Sequence, residues 1–470
     1  MVITVTIARH SKNIFSQFPL RIIKRYNYNS QERWRRTKML NEALPVSRSD
    51  PVIMKLDTPE FHSILTPEVN ALTDLFKKYN YEIRVAGGAV RDILMGKTPT
   101  DLDFATTATP QEMKEMFTKE NIRMVNSNGE KHGTITPRIN DKENFEVTTL
   151  RVDVVTDGRH AEVLFTKDWK LDANRRDLTI NSMFLGFDGS VYDYFYGYDD
   201  LQKRKIAFVG NAATRIQEDY LRILRYFRFY GRIADSAENH DEGTINAIKE
   251  NTDGLERISG ERIWNEWAKI LAGKFYRELT IKMLECGLTK YIGLPASPNL
   301  ENFLTVSKRA EAENIILKPP TLLAALLKNE EEVMDLHSRL KFSAFERDLA
   351  LYIVQHKDDI FTDKSLKTFQ LFLLVNKGKI NDKREFVLEL FRYKGQFHLI
   401  ENFKNWKLPL FPVNGTMIQP YVSRPKLIGK VIAILQEIWV ENEFKLNQQE
   451  LMKYVPEIVA EFKDVRIANK

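Results

Sequence analysis

The sequence predicts an α+β protein, a mixed-sheet front part followed by an all-α remainder. Three observations carry this reading. Between residues 56 and 208, short apolar runs that end in glycine or turn residues are interspersed with segments whose apolar residues recur three and four apart. From about residue 215 onward only the helical period persists. At 470 residues the chain also exceeds what one core holds, so two to four units are expected.

The elements follow in order. Residues 69–79 read as a helix, with Leu72, Leu75 and Phe76 on one face. Residues 83–86 form a short apolar strand that stops at Gly87-Gly88, and 89–95 a helix that stops at Gly96. A strand at 102–104 and a helix at 111–120, opened by Pro110, come next. Residues 135–139, 145–150 and 190–196 alternate as strands do. The helical part contains amphipathic segments at 213–230, 260–271, 320–328, 344–354, 383–391 and 425–437. Loops at 235–242, 295–302 and 409–413 are candidate joints.

Composition narrows the function classes. No apolar run approaches the roughly 20 residues that span a bilayer. The single cysteine, Cys286, excludes a disulfide scaffold and a cysteine-based zinc site, and reads as a core helix residue. The net charge is +6, but residues 1–38 hold nine Lys or Arg against one acid, Glu32, which leaves about −2 for the rest. Global charge is therefore no argument for RNA binding; local basic patches must supply it. Residues 1–31 lack acids and mix Arg9, Lys12, Arg21, Lys24 and Arg25 with apolar residues, the composition of a mitochondrial transit peptide. A disordered basic tail is the alternative, and Met39 and Met54 are possible internal starts.

Five constellations carry chemistry. Gly87-Gly88 lies between a strand and a helix, where glycine permits close approach of a ligand and the helix start offers N–H groups to a phosphate. Arg91 can add a cationic fork, although a Gly-Gly turn by itself more often serves folding alone. Asp101-Leu102-Asp103 sets two carboxylates on one side of an extended chain, which repel unless a cation sits between them, and hard oxygens suit Mg²⁺. Glu146 shares a strand face with Thr148 and Leu150 and is a candidate third carboxylate, or else a solvated strand residue. In 175–181, Arg175, Arg176, Asp177 and Asn181 can grip a triphosphate and a ribose, or form a salt-bridged helix start. Asp219 and Arg222, three apart on an expected helix, share a face that Arg225, Arg228 and Arg232 extend. Such a pair can accept from the exocyclic amine of C or A and donate to their ring acceptors; an isolated pair is more often a surface ion pair on a solvated helix. His132 and His160 stand alone and read as structural or loop residues.

Taken together and in order, these segments resemble the class II CCA-adding enzymes, whose head shares the fold of the DNA polymerase beta superfamily. The matching runs are 84–92 (RVAGGAVRD), 101–107 (DLDFATT), 129–136 (GEKHGTIT), 175–181 (RRDLTIN), 197–201 (GYDDL), 218–229 (EDYLRILRYFRF) and 258–263 (ISGERI). The run 157–163 (DGRHAEV) is most like the animal mitochondrial form. The resemblance implies a nucleotidyltransferase head at 55–200, a base-recognising neck at 201–275, a helical body at 276–400 and a tRNA-binding tail at 401–470. It implies addition of CCA to the 3′ end of tRNA from CTP and ATP, with no nucleic-acid template and no membrane partner. It implies that Asp101 and Asp103 hold catalytic Mg²⁺ with Glu146 assisting, and that Gly87, Gly88 and Arg91 face the triphosphate. Arg176 and Asp177, with Asn181, would face the nucleotide, and Asp219 and Arg222, continued by Arg225 and Arg228, would read the base. Residues 153–165 would be a flexible loop that helps switch from C to A addition. The implied location is the mitochondrial matrix, with cytosolic or nuclear forms from an internal start. Tyr220 stands where many bacterial relatives have proline, and 415–418 (GTMI) lacks an acid common in the tail motif. A poly(A) polymerase of the same superfamily, a non-catalytic RNA-binding relative and a small-molecule nucleotidyltransferase are the rival readings.

Overall fold

A computed structural model describes residues 44–125, 129–157, 160–361, 365–375 and 378–464. Residues 1–38 and their transit-peptide reading lie outside the described residues. The chain divides into two compact units, one ending at Ile258 and one beginning at Ser259. The division falls within the 201–275 segment expected as a neck.

The first unit is built on a seven-stranded mixed sheet. Its strands are β1 (Val52–Lys55), β2 (Ile83–Ala86), β3 (Asp103–Thr106), β4 (Thr134–Ile135), β7 (Glu146–Thr149), β10 (Phe184–Leu185) and β11 (Ser190–Tyr192), in the order β1-β11-β10-β2-β3-β7-β4. All neighbours are antiparallel except β3 and β7, which run parallel with Asp103 opposite Glu146 and Phe104 opposite Val147. Alternation sends Phe104 and Val147 into the core while Asp103 and Glu146 reach solvent. Helices Pro67–Lys78 and Pro110–Lys119 start where the sequence demands it. Thr66 and Thr109 accept from the backbone N–H three residues on, proline fills the first turn, and Glu112 closes a capping box on Thr109.

Two expectations fail among the strands and loops of this unit. The strand expected at 135–139 is two short ones: β4 joins the main sheet, while β5 (Arg138–Ile139) pairs separately with β6 (Glu143–Asn144). Pro137 between them lacks the N–H that a continuous ladder needs. In the segment 153–165, expected as a loop, the described residues belong to two paired antiparallel strands, β8 (Arg151–Asp157) and β9 (His160–Phe165), with a register shift between Asp153 and Val155.

The second unit is helical throughout its described residues, from Gly260–Leu271 to Val455–Asp464. Helix Pro319–Leu326 is apolar and buried on every side, packed by Leu300–Ala312, Ala344–His356 and Ile380–Lys394. Gly260 opens its helix against the Arg339 carbonyl; a Cβ there would sit 1.6 Å from that oxygen, so any side chain would push the segments apart. Cys286 is buried at a helix C-terminus, as expected of a core residue. Near the C-terminus, Val431, Leu435 and Trp439 pack against Leu451, Val455 and Ile458 in a core of their own. No helix among the described residues is long and apolar enough to cross a membrane.

Candidate active site

The front of the site is a turn that only glycine makes comfortably. Gly87 ends β2 at φ 67°, ψ −117°, and its N–H donates to the Met183 carbonyl at 3.0 Å. A Cβ on Gly87 would lie 3.1 Å from Nη1 of Arg176 and 3.5 Å from the Asn181 carbonyl. Helix Gly88–Leu94 begins there without a side-chain cap, so its first N–H groups remain available to an anion.

Beside it stand the carboxylates. Asp103 opens β3, Glu146 faces it from β7, and Asp101 lies two residues upstream; all three are exposed. Partial burial, then the charges of Glu146 and Asp101, push the Asp103 pKa up, with Arg176 opposing them. Neither Asp103 nor Glu146 engages a protein partner by hydrogen bond or ion pair among the described residues, while Thr100 donates to Asp101 at 3.4 Å. Carboxylates held in mutual repulsion suit a divalent cation. Among the described residues, however, no three metal-binding side chains close into a ligand set.

Behind the carboxylates lies a buried network that the sequence did not reveal as such. Asp172 is 1% exposed and accepts from Arg175 on one oxygen and from Arg176 on the other. Arg176 also donates to the Asn181 carbonyl at 3.3 Å. Spacings of three and four from Asp172 to Arg175 and Arg176 were the available signal. Burial raises the pKa of Asp177, but the charge and hydrogen bond of Arg225, the Leu178 N–H and Arg222 outweigh it and hold the carboxyl at about 2.

Arg91 departs from expectation. It is 3% exposed, with Nε and Nη2 on Asp92 and Nη1 on Asn181 at 2.6 Å, and it stacks over Phe229. In this conformation its fork is occupied by protein groups and organises the helix Gly88–Leu94 from within. Arg232 bonds the other Asp92 oxygen at 2.7 Å, and Arg225 and Arg228 also lie against Phe229.

The base-reading pair also differs from the expected geometry. The segment 213–230 is two helices, Ala212–Glu218 and Arg222–Ile233, broken at Asp219, which has extended backbone at φ −151°, ψ 106°. Asp219 and Arg222 therefore do not share one helical face. The Asp219 carboxylate accepts from the Leu221 N–H at 3.1 Å. Arg222 is 9% exposed and donates to Glu218, to the Arg215 carbonyl at 3.0 Å and to the Arg175 carbonyl at 2.8 Å. After the break Arg222 reaches the Arg175 carbonyl while the Asp219 carboxylate turns onto its own segment, an arrangement that helical spacing could not predict.

Comparison with known proteins agrees with this architecture. Residues 83–207 match the family described as "Poly A polymerase head domain", and 240–301 match "Probable RNA and SrmB- binding site of polymerase A". A Bacillus stearothermophilus CCA-adding enzyme solved with CTP superposes with a TM-score of 0.67 at 25% identity, over 88% of this chain and 100% of that one. Head and helical remainder are thus those of a nucleotidyltransferase. The mitochondrial CCA tRNA nucleotidyltransferase 1 of Mus musculus is 52% identical over 86% of this chain and 93% of its own length. The Homo sapiens protein of that name is 51% identical over the same shares. The chain belongs to the CCA tRNA nucleotidyltransferase family.

Proposed function

We propose that the protein adds C, C and A to the 3′ end of tRNA from CTP and ATP, releasing pyrophosphate, and that the residues above perform the chemistry. The observation that carries the site is the pairing of Asp103 with Glu146 across parallel strands, beside the Gly87 turn and Arg176. The family's own naming and the CTP complex of the Bacillus stearothermophilus enzyme support the substrates.

In the proposed reaction the tRNA 3′ hydroxyl attacks the α-phosphorus, a phosphodiester bond forms and the bond to pyrophosphate breaks. Nucleotidyltransferases typically use a divalent metal; Asp101 and Asp103 would hold Mg²⁺, which supplies activation of the hydroxyl and charge neutralisation when bound. Glu146 adds negative potential at the same strand end. The free N–H groups at Gly88 and the Arg176 cation bind and orient the phosphates. Arg91, Asp177 and Asn181 hold that geometry from behind, through the hydrogen bonds that link them to Asp92 and Arg225. Asp219 accepts from the exocyclic amine of C or A, while Arg222 fixes the neck side of the pocket through the Arg175 carbonyl. Residues 1–38 direct the chain to the mitochondrial matrix; the relatives carry "mitochondrial" in their names.

A tRNA lacking CCA, given CTP and ATP separately and together, tests the whole reading. Two C additions with CTP alone, a terminal A only when both are present, and none with chelator are expected. Runs of A from ATP alone would instead make it a poly(A) polymerase, the activity in the head family's description.

A further inference from the structure

The helical unit holds a polar cavity of about 420 Å³, of a size that takes small ligands but without the apolar lining a drug-like molecule needs. One wall is the Leu300–Ala312 helix, through Asn302 and Arg309. The other wall gathers the C-terminal ends of Pro319–Leu326, Ala344–His356 and Ile380–Lys394, through Lys328, Lys357 and Lys394. Asp358 is the single acid of the lining.

Part of this positive charge has a structural use. Lys357 donates to the Leu327 and Lys328 carbonyls, and Lys394 to those of Lys357 and Asp359, which satisfies helix ends that otherwise lack donors. The use does not exhaust the charge. Three helix C-termini at roughly half a negative charge each, with Asp358, leave about one and a half positive charges uncompensated against four cations. No ion pair joins Arg309, Lys328, Lys357 or Lys394 to a carboxylate among the described residues.

Donors also remain. Each lysine has three N–H bonds, and Lys357 and Lys394 spend two. Arg309 gives one bond, to the Tyr393 carbonyl, and its Nε is buried without a partner. The Tyr393 hydroxyl accepts from Asn302 at 2.7 Å, and burial raises its pKa, so it keeps a proton to donate. A concave site with surplus cations, spare N–H and O–H donors and few acceptors suits a compact oxyanion rather than a base or a sugar.

We infer that this cavity is a phosphate-binding site, separate from the nucleotidyl-transfer site. Two sources of phosphate fit it: a backbone phosphate of bound RNA, or a free phosphate such as the pyrophosphate product. The RNA source rests on the tRNA-acceptor reading; the free anion does not.

Full-length Lys328→Gln, alone and with Arg309→Gln, separates these sources. The Lys328 side chain is exposed and bonds nothing among the described residues, so the single variant carries little risk to folding; the melting temperature of the double variant checks the other substitution. Binding of CCA-less tRNA is measured across salt concentrations. Inorganic pyrophosphate is titrated calorimetrically with the nucleotide site blocked by a non-hydrolysable CTP analogue. If RNA supplies the phosphate, the slope of log affinity against log salt falls by about 1–2 in the folded double variant, while KM for CTP at saturating tRNA is unchanged. If the free anion is bound, one pyrophosphate is lost and tRNA affinity is unchanged. An unchanged slope together with unchanged pyrophosphate binding in both variants overturns the inference. Should the wild type bind no tRNA, the acceptor reading fails, and the pyrophosphate titration decides the cavity by itself.

Discussion

Two groups of acids in the first unit have opposite electrostatics. Asp103, Glu146 and Asp101 reach solvent at one end of β3 and β7, and partial burial, then the repulsion of Glu146 and Asp101, pushes Asp103 upward. Asp172 and Asp177 are buried, yet both lie below their ordinary pKa because arginines overcome the burial that would raise them. The first group wants a cation that the fold does not supply; the second has already received its cations from the chain. Charge alone therefore does not mark a site. The distinction lies in whether the protein completes the charge.

That contrast can be broken or sharpened by substitution. Asp103→Ala should have the largest effect: several kcal/mol of transition-state stabilisation, at least roughly a thousandfold in kcat for both CTP and ATP. Unfolding should show no loss of stability and filter binding no loss of tRNA; retained turnover would remove Asp103 from the metal assignment. Asp172→Ala should do the reverse and destabilise the fold by about 3–5 kcal/mol in urea titration, because the partly buried Arg175 and Arg176 would lose the carboxylate that both of them pair with. If it unfolds no more easily than the wild type, the network is not structural.

Asp177 gives the contrast a pH signature. Its folded pKa of about 2 lies below the ordinary 3.8, so its contribution is fully present above about pH 4 and is lost as pH falls toward 2. The shift corresponds to about 2 kcal/mol, and Asp177→Asn should flatten the fall in stability between pH 5 and 2 by that order. An unaltered pH profile would show that Arg225 does not hold the carboxylate as described. Gly87→Ala should cost about 1–3 kcal/mol through its backbone conformation and the approach of Arg176. Its KM for nucleotide should rise; an unchanged KM would mean that the turn serves folding only. The smallest effect on overall rate is expected for Asp219→Ala, which should relax base choice more than it weakens triphosphate binding. Full rejection of G and U by that variant would count against its role in reading the base.

Local order in the chain was enough to predict much of this protein. Apolar spacing predicted the helices near 69–79, 111–120 and 260–271 because burial of one face every 3.6 residues is a local pattern. Alternation and the Gly-Gly turn located β2 and the start of its helix, and the ordered motifs pointed to the family. What failed were inferences that needed a neighbour. Residues 213–230 keep a helical period through Asp219, yet the helix breaks there: Asp219 is extended and accepts from the Leu221 N–H, while Arg222 reaches across to the Arg175 carbonyl. The pairing of β8 and β9 was missed because strand pairing depends on a partner strand rather than on composition. Which arginines face a ligand and which are consumed by Asp92, Asp172 and Asp177 is likewise a matter of distance between residues up to 140 positions apart. The sequence by itself determined most of the element types and the identities of the acids and arginines, since these depend on local periodicity and side-chain chemistry. Only the tertiary structure decided which charges meet one another and which are left for an ion or a phosphate, since electrostatic pairing depends on spatial distance.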